Sequence, residues 1–252
     1  MPDSAILPPS RPITVSIVSH GQLGLIAPLL VQLDRHCSTS IAKIVLTINI
    51  PEPDAPPLPP SGFPVEQLFN HQAQGFGANH DQAFGRCETP WFLVLNPDIR
   101  LNGDILSPLL AAARPDSGLL APRILEPGRR GPEPHRGLLT PWEILTRRRP
   151  AYLPPAEPAW IPGLFMLWRS QAFQQLGGFD KRFFMYGEDF DLCARARLAG
   201  WRLQIDETLL AHHEAQRASH AALRPLAWHV ASLLRIWMSS VFWRYRSLLG
   251  KG

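Results

Sequence analysis

Apolar and polar positions along this chain switch between two periods. ITVSIVSH (Ile13–His20) and AKIVLTINI (residues 42–50) are β-branched runs that read as buried strands. Between them Leu25, Leu29, Leu30 and Leu33 recur at helical spacing. Strand, helix, strand in that order predicts a right-handed βαβ unit and hence a parallel sheet. Further strands are expected at VEQLFN (residues 65–70), WFLVLNPDIRL (91–101), GLLAPRIL (118–125), AWIPGLFMLWRS (159–170) and toward the end of WRLQIDETLLAHHEA (201–215). Helices are expected at residues 78–86, 105–113, 171–176 and 190–199, the last stopped by Gly200. The pattern is that of an α/β fold, a mostly parallel central sheet flanked by helices. Residues 221–249 read as one long helix, in which Trp228, Leu233, Leu234, Trp237, Val241, Phe242 and Tyr245 are broken up by arginines. Residues 126–158 are rich in proline and arginine and read as an excursion from the core.

Composition narrows the class. With 252 residues, 45% hydrophobic and 18% charged, the chain is globular and long enough for one or two domains. Cys37, Cys87 and Cys193 are far apart and odd in number, which argues against a disulfide framework or a zinc knuckle and fits a reducing, cytoplasmic compartment. The first residues, MPDSAILPPSRP, lack a basic region followed by an apolar run, so no signal peptide is expected.

The net charge of +4 hides an asymmetry. Residues 215–252 carry six basic side chains and no acid, whereas residues 1–214 carry 19 basic against 21 acidic. That balance weighs against nucleic acid as a partner and makes the basicity a property of the tail. We therefore divide the chain into a body, residues 1–220, and a basic amphipathic tail, residues 221–252. Arg235 interrupts the apolar run, so a membrane-spanning tail is not expected. Two readings stay open. In one, the tail lies peripherally on the cytoplasmic face of the inner membrane. In the other, it packs on the body or on a second subunit as a homodimer.

Chemistry concentrates in residues 177–201, GGFDKRFFMYGEDFDLCARARLAGW, which place Asp180, Glu188, Asp189 and Asp191 among aromatics and glycines. Carboxylates beside water-excluding neighbours suit proton abstraction, and acids at a helix start are equally explained by the helix dipole. Asp191 is read as the helix cap and Asp180 as part of the preceding turn. Asn96-Pro97-Asp98 ends a buried strand, where open parallel sheets place their ligands, but the same tripeptide is good turn chemistry. His213 ends another strand; a neutral imidazole there could complete a metal site, but taken alone it reads as a surface or capping histidine. Gly75-Phe76-Gly77-Ala78-Asn79 precedes a helix, where glycines allow backbone to approach a phosphate, yet it matches no known phosphate-loop pattern.

In order, IVSH, GFGANHDQA, VLNPDIRL, GLFMLWRSQAF, GGFDKRFFMYGEDFDLCARARLAGW and a closing HH resemble the family 2 glycosyltransferases. The likeness is to the inverting type with the GT-A fold, and most closely to its bacterial rhamnosyltransferase-like branch. It runs from about Ile13 to His213. The resemblance implies a nucleotide-sugar donor, a glycan or lipid-linked acceptor in cell-surface polysaccharide synthesis, and a divalent cation, Mg or Mn. It puts Asp98, with Asn96, where the family's DXD motif holds metal and diphosphate, and His213 where a further metal or diphosphate ligand stands. Asp189 takes the place of the general base and Glu188 that of an acceptor-side carboxylate. Ser19, Asn79 and Asp81, with Gly75 and Gly77, would line the donor pocket. One departure stands out: where the family carries a base-binding acid after the second strand, this chain has TINIPE (residues 47–52), leaving Asn49 or Glu52 as substitutes and the nucleotide open between UDP, dTDP and GDP. Two rivals are a catalytically inactive nucleotide-sugar-binding or scaffolding protein on the same fold, and a nucleotidyltransferase. The latter is disfavoured because SHGQLG, after the first strand, carries no lysine or arginine.

Overall fold

The strands expected from β-branched runs assemble into one eight-stranded sheet in a computed structural model that describes residues 11–53, 57–147, 149, 152–214 and 223–250. Strand β1 (Ile13–His20), helix α1 (Leu23–Cys37) and strand β2 (Ile41–Ile50) form the expected parallel βαβ unit. Strand β3 (Val65–Phe69), helix α2 (Phe76–Phe84) and strand β4 (Trp91–Leu95) extend it, with β3 on β2 and β4 on β1, both parallel. Next come the two-residue strand β5 (Ile99–Arg100), α3 (Leu106–Ala111), β6 (Ser117–Leu125), α4 (Pro141–Thr146), β7 (Phe165–Arg169), α5 (Ser170–Leu176), α6 (Glu188–Leu198) and β8 (Arg202–His213). The sheet order is β3-β2-β1-β4-β7-β6-β8-β5. Only β7 and β5 run against the rest, because β7 pairs antiparallel with both β4 and β6, and β5 pairs antiparallel with β8. The carboxyl ends of the other six strands therefore share one edge of the sheet.

Alternation along the strands builds a core on each face. Leu93 and Leu95 of β4 enter a cluster with α1 and α3, while Phe92 and Val94 enter a second cluster with Phe173 of α5 and Phe190 of α6. The break after β4 follows from Pro97, which cannot donate to a ladder; the chain re-pairs two residues later as β5. The excursion at 126–158 is not wholly irregular. It contains α4, where Thr140 caps the helix by accepting from the Glu143 amide at 3.1 Å.

The single tail helix expected at 221–249 is instead two. Helix α7 (Leu223–Met238) stops at Ser239, which turns to an extended conformation, and α8 (Ser240–Leu249) starts there. Ser239 Oγ accepts from the Phe242 amide at 3.1 Å and donates to the Ile236 carbonyl at 2.8 Å, so one hydroxyl both caps and kinks. Ile236, Phe242 and Tyr245 are buried in the second cluster, and Trp237 donates to the Leu139 carbonyl at 2.8 Å. The boundary expected at 220/221 falls outside the described residues.

Tyr245, fully buried, donates to the Ala159 carbonyl at 2.5 Å and so ties α8 to the segment entering β7. Tyr245→Phe leaves that carbonyl unpaired, a loss of about 1–3 kcal/mol. Thermal denaturation should show a melting temperature lowered by several degrees; an unchanged one would mean α8 is not part of the cooperative unit.

Candidate active site

The shared edge collects most of the polar residues marked in the sequence, in two groups. The first hangs from β5 and β8. Their antiparallel pairing sets Ile99 opposite His213, which brings Asp98 Oδ2 to 3.1 Å from His213 Nε2 across 115 positions of chain. The other ring nitrogen, Nδ1, lies 2.7 Å from Glu126 Oε1. Glu126 follows the last residue of β6, and β6 is parallel to β8, so both strands end at the same place. Flanked by two carboxylates, His213 has its pKa raised to about 9 against the opposing effect of burial. Asp98 Oδ1 is buried and has no hydrogen-bond partner among the described residues. A buried carboxylate oxygen without a partner, beside an imidazole whose far nitrogen is held by a second carboxylate, is suitable chemistry for a hard divalent cation. Nε2 then carries either a proton or the cation. Among the described residues, however, no three His, Cys, Asp or Glu side chains converge as a complete metal cage. Asn96 lies two residues before Asp98, its amide donating to the Leu164 carbonyl at 2.9 Å and so fixing the start of β7 beside the end of β4.

The second group is the Glu188–Asp189 pair at the start of α6. The chain enters this helix through two left-handed residues, Tyr186 (φ 71°) and Gly187 (φ 89°). For a tyrosine that conformation is strained, by roughly 1–3 kcal/mol. Asp189 Oδ1 accepts from the Phe190 amide at 2.8 Å and Oδ2 from the Gly163 amide at 3.1 Å. Gly163 lies just before β7, and because β7 runs backwards its start sits on the same edge as the other strands' ends. Burial raises the pKa of Asp189 above the usual carboxylate range, and these amides and the Arg136 charge offset only part of that rise. Glu188 differs: it is 5% exposed, its Oε2 has no partner among the described residues, and burial, then Asp189, push its pKa to about 8. Two adjacent carboxylates in such a site do not both ionise. Asp189, with the donors, carries the charge, and Glu188 keeps the proton. Asp191, expected as the cap, is not: Gly187 holds the N-cap position, and Asp191 pairs with Arg195 at 2.7 Å.

The residues proposed from sequence for the donor pocket are each engaged with protein partners. Asn49 Oδ1 accepts from Asn70 Nδ2 and the Gln74 amide, both at 2.8 Å, and its Nδ2 meets His20 Nδ1 at 2.8 Å and the Gln74 carbonyl at 3.0 Å. Asn79 donates to the Gly75 carbonyl at 2.9 Å and accepts from Asn70 at 2.6 Å. Ser19 donates to Glu52 at 2.9 Å, and the same Glu52 oxygen accepts from the Leu23 amide at the start of α1. Asp81 accepts from the Phe179 amide at 3.0 Å, anchoring the acidic segment to α2, and burial raises its pKa to about 6. Gly75 and Gly77 have a steric reason to be glycine. A Cβ on Gly75 would lie 2.4 Å from the Phe184 carbonyl oxygen, and one on Gly77 would lie 2.5 Å from Phe179 Cβ. These glycines let the start of α2 abut the acidic segment.

Sequence reasoning missed Glu126 and Arg136. Glu126 was findable, since an acid directly after a buried strand is the same signal that marked Asp98. Arg136 was not, because nothing local ties an excursion residue to Asp189. Together with Tyr186, His229, Leu233 and Ile236 it walls a cavity of about 140 Å³ that Asp189 faces and that α7 covers.

No family profile matches the chain. The chain is 35% identical to an N-acetylglucosaminyl-diphospho-decaprenol L-rhamnosyltransferase of Mycobacterium tuberculosis over a 164-residue alignment, which covers 56% of this chain and 52% of the relative. It is 40% identical to rhamnosyltransferase WbbL of Escherichia coli K12 over 77 residues, 30% of this chain and 29% of that one. The chain thus spans about half the length, or less, of the curated relatives it matches. Among solved structures, it is similar to a Pyrobaculum calidifontis mannosyltransferase in complex with GDP-Man and Mn2+, with a TM-score of 0.62, 14% identity, and 89% of this chain and 64% of that one covered. It is also similar to TarS of S. aureus in complex with UDP, with a TM-score of 0.57 and 15% identity over 79% of this chain and 59% of that one. The fold is GT-A, and the sequence is rhamnosyltransferase-like.

The assignment of charge within the pair is testable. Asp189→Asn should lower turnover about 100-fold or more, whereas Glu188→Gln, which replaces a neutral acid by a neutral amide, should stay within a few-fold. Equal losses would refute the division. A raised folded pKa at Glu188 means the folded state holds a proton that the unfolded state has lost, so stability falls as pH rises from about 4.5 to about 8. Glu188→Gln should remove that part of the decline in melting temperature across the same window.

Proposed function

We propose that this chain, a GT-A fold with a rhamnosyltransferase-like sequence, is an inverting glycosyltransferase. It moves a sugar from a nucleotide-sugar donor to a hydroxyl of a glycan or lipid-linked acceptor in cell-surface polysaccharide synthesis. The observation that carries the reading is Asp189: a carboxylate that accepts from two backbone amides and faces a covered cavity, on the same sheet edge as Asp98 and His213. The relatives are rhamnosyltransferases by name, which supports rhamnosyl or hexosyl transfer.

In this reading the acceptor hydroxyl approaches Asp189, which takes its proton as the oxygen attacks the anomeric carbon. The bond to the nucleoside diphosphate breaks on the opposite face, so a single displacement inverts the centre. Glu188, uncharged, adds no second negative charge to repel the departing diphosphate. Asp98 and His213 would hold a divalent cation against the diphosphate, with Glu126 orienting the imidazole; bound there, Mg or Mn supplies charge stabilisation of the leaving group. Crystallisation of GT-A neighbours with Mn2+ supports this assignment. Ser19, Asn49, Asn79 and Asp81 brace the loops around the donor, and Gly75, Gly77 and Asn96 shape its floor.

The tail would meet the membrane through the outside of α7. Among the described residues no helix is long and apolar enough to cross a bilayer. Ile236 faces inward, but Val230, Leu234 and Met238 recur every four residues on the outer side, and Met238 is 79% exposed. With no acid in residues 215–252, that stripe suits a peripheral contact with anionic lipid.

Two measurements test these assignments. The protein should be stabilised by UDP, dTDP or GDP with Mn2+ more than by either component alone, and Asp98→Asn or His213→Ala should abolish the added increment while keeping the fold. A metal-independent shift, unchanged in both variants, would remove the cation site. Co-sedimentation with phosphatidylglycerol vesicles should be lost in Leu234→Asp/Met238→Asp; equal pelleting of parent and variant would remove the membrane contact.

A further inference from the structure

Each residue of the turn that leads into the Glu188–Asp189 pair is met by helix α7. Trp228 packs on Phe184 with ring centres 4.9 Å apart, and His229 stands edge-on to Tyr186 at 5.0 Å. Arg235 lies over Phe183, its guanidinium 5.7 Å from the ring centre. Ser232, only 6% exposed, donates from Oγ to the Met185 carbonyl at 3.1 Å. Ile236 Cδ1 sits 2.8 Å from where a Cβ on Gly187 would stand. Five consecutive residues, 183 to 187, thus have a neighbour on one helix.

Positions 228, 229, 232, 235 and 236 share one helix face, about 120° wide at the α-helical repeat. That face is not a plain apolar stripe, since it includes a serine, a histidine and an arginine. The other side of the turn is held by α2 as far as Phe184, whose carbonyl accepts from the Phe76 amide at 2.9 Å. The next carbonyl, that of Met185, is the one Ser232 takes. Directly after it come the two left-handed residues, Tyr186 and Gly187, and α6 then starts at Glu188. A left-handed tyrosine persists only where its surroundings over-determine it. Any change of backbone direction there would swing both carboxyls, because they are the first two residues of the helix that follows.

We infer that Ser232 of α7 is a positioning residue for the carboxyl pair: by holding the Met185 carbonyl it fixes the left-handed turn that buries Glu188 and sets Asp189 against the Gly163 amide. Ser232 touches no reacting group and acts through the backbone of residues 185–187. Its importance for turnover rests on Asp189 as the base of glycosyl transfer, whereas its hold on the geometry does not. The tail then does more than cover the cavity, since the seating of α7 decides where the base points.

The Gly163 amide reports the outcome, because it donates to Asp189 Oδ2 at 3.1 Å from a distant part of the chain. Amide hydrogen exchange of the full chain, read by NMR, should quicken at Gly163 about fivefold or more in Ser232→Ala, while the amides of β1 and β2 change by no more than about twofold. Ser232→Thr, which keeps the hydroxyl, should exchange like the parent at Gly163. If Ser232→Ala does not fold, Trp228→Leu, which removes the contact with the Phe184 ring at a half-buried position, is read by the same amides. The positioning role is overturned if Gly163 keeps its parent rate, if β1 and β2 quicken by the same factor as Gly163, or if Ser232→Thr behaves like Ser232→Ala. Binding of UDP, dTDP or GDP with Mn2+ separates this failure from that of the transfer reading. Nucleotide binding with an indifferent Gly163 sinks the positioning role and leaves glycosyl transfer standing. A responsive Gly163 in a chain that binds no nucleotide sinks glycosyl transfer and leaves Ser232 as the residue that sets the pair.

Discussion

Six strands of the sheet end on one edge, and most polar groups of the candidate site gather there. The constraint is one of hydrogen-bond direction. Parallel pairing of β1, β2, β3 and β4, and of β6 with β8, aligns the positions where buried backbone gives way to side chains that can reach a ligand. Two reversed strands complete the arrangement. Because β7 runs the other way, its start offers the Gly163 amide to Asp189 on that edge. The short β5 turns back to lock Asp98 against His213. Without those two reversals the acids would be held by nothing but their own loops.

Charge is then apportioned by burial and donors. Asp189 has two backbone amides and Arg136 nearby; Glu188, its neighbour, has a buried oxygen with no partner. One site thus sets two adjacent carboxyls in different environments, which pushes their titrations apart. The left-handed backbone at Tyr186 and Gly187 aims the pair. Gly187, at φ 89°, suits glycine, and a Cβ there would stand 2.8 Å from Ile236 Cδ1 of α7. The tail is in this sense part of the site: α7 rests on the loop that presents Asp189 and roofs the cavity in front of it.

Much of this was legible in the chain. The period-two runs located the strands to within a few residues, because burying both faces of a sheet demands continuous β-branched and aromatic positions. Asp98 and His213 were marked by standing just past such runs, and Glu126 could have been marked by the same sign. The amides of Asn49 and Asn79 looked like ligand groups, yet they bond Asn70 and the Gln74–Gly75 backbone. A polar residue's partner is set by three-dimensional neighbours, and no local pattern distinguishes a brace from a ligand. The tail's break at Ser239 was equally invisible, since a serine within a helical run either continues the helix or caps a new one according to what the flanking faces meet.

By itself the sequence determined the sheet, its helices, the acidic segment and the basicity of the last forty residues, since these follow from side-chain period and composition. Tertiary structure decided which of the acids is charged, which imidazole nitrogen faces Asp98, and that α7 and an arginine of the excursion stand against Asp189. Those outcomes depend on desolvation and on contacts between residues tens to more than a hundred positions apart. Local sequence carries no record of such distances.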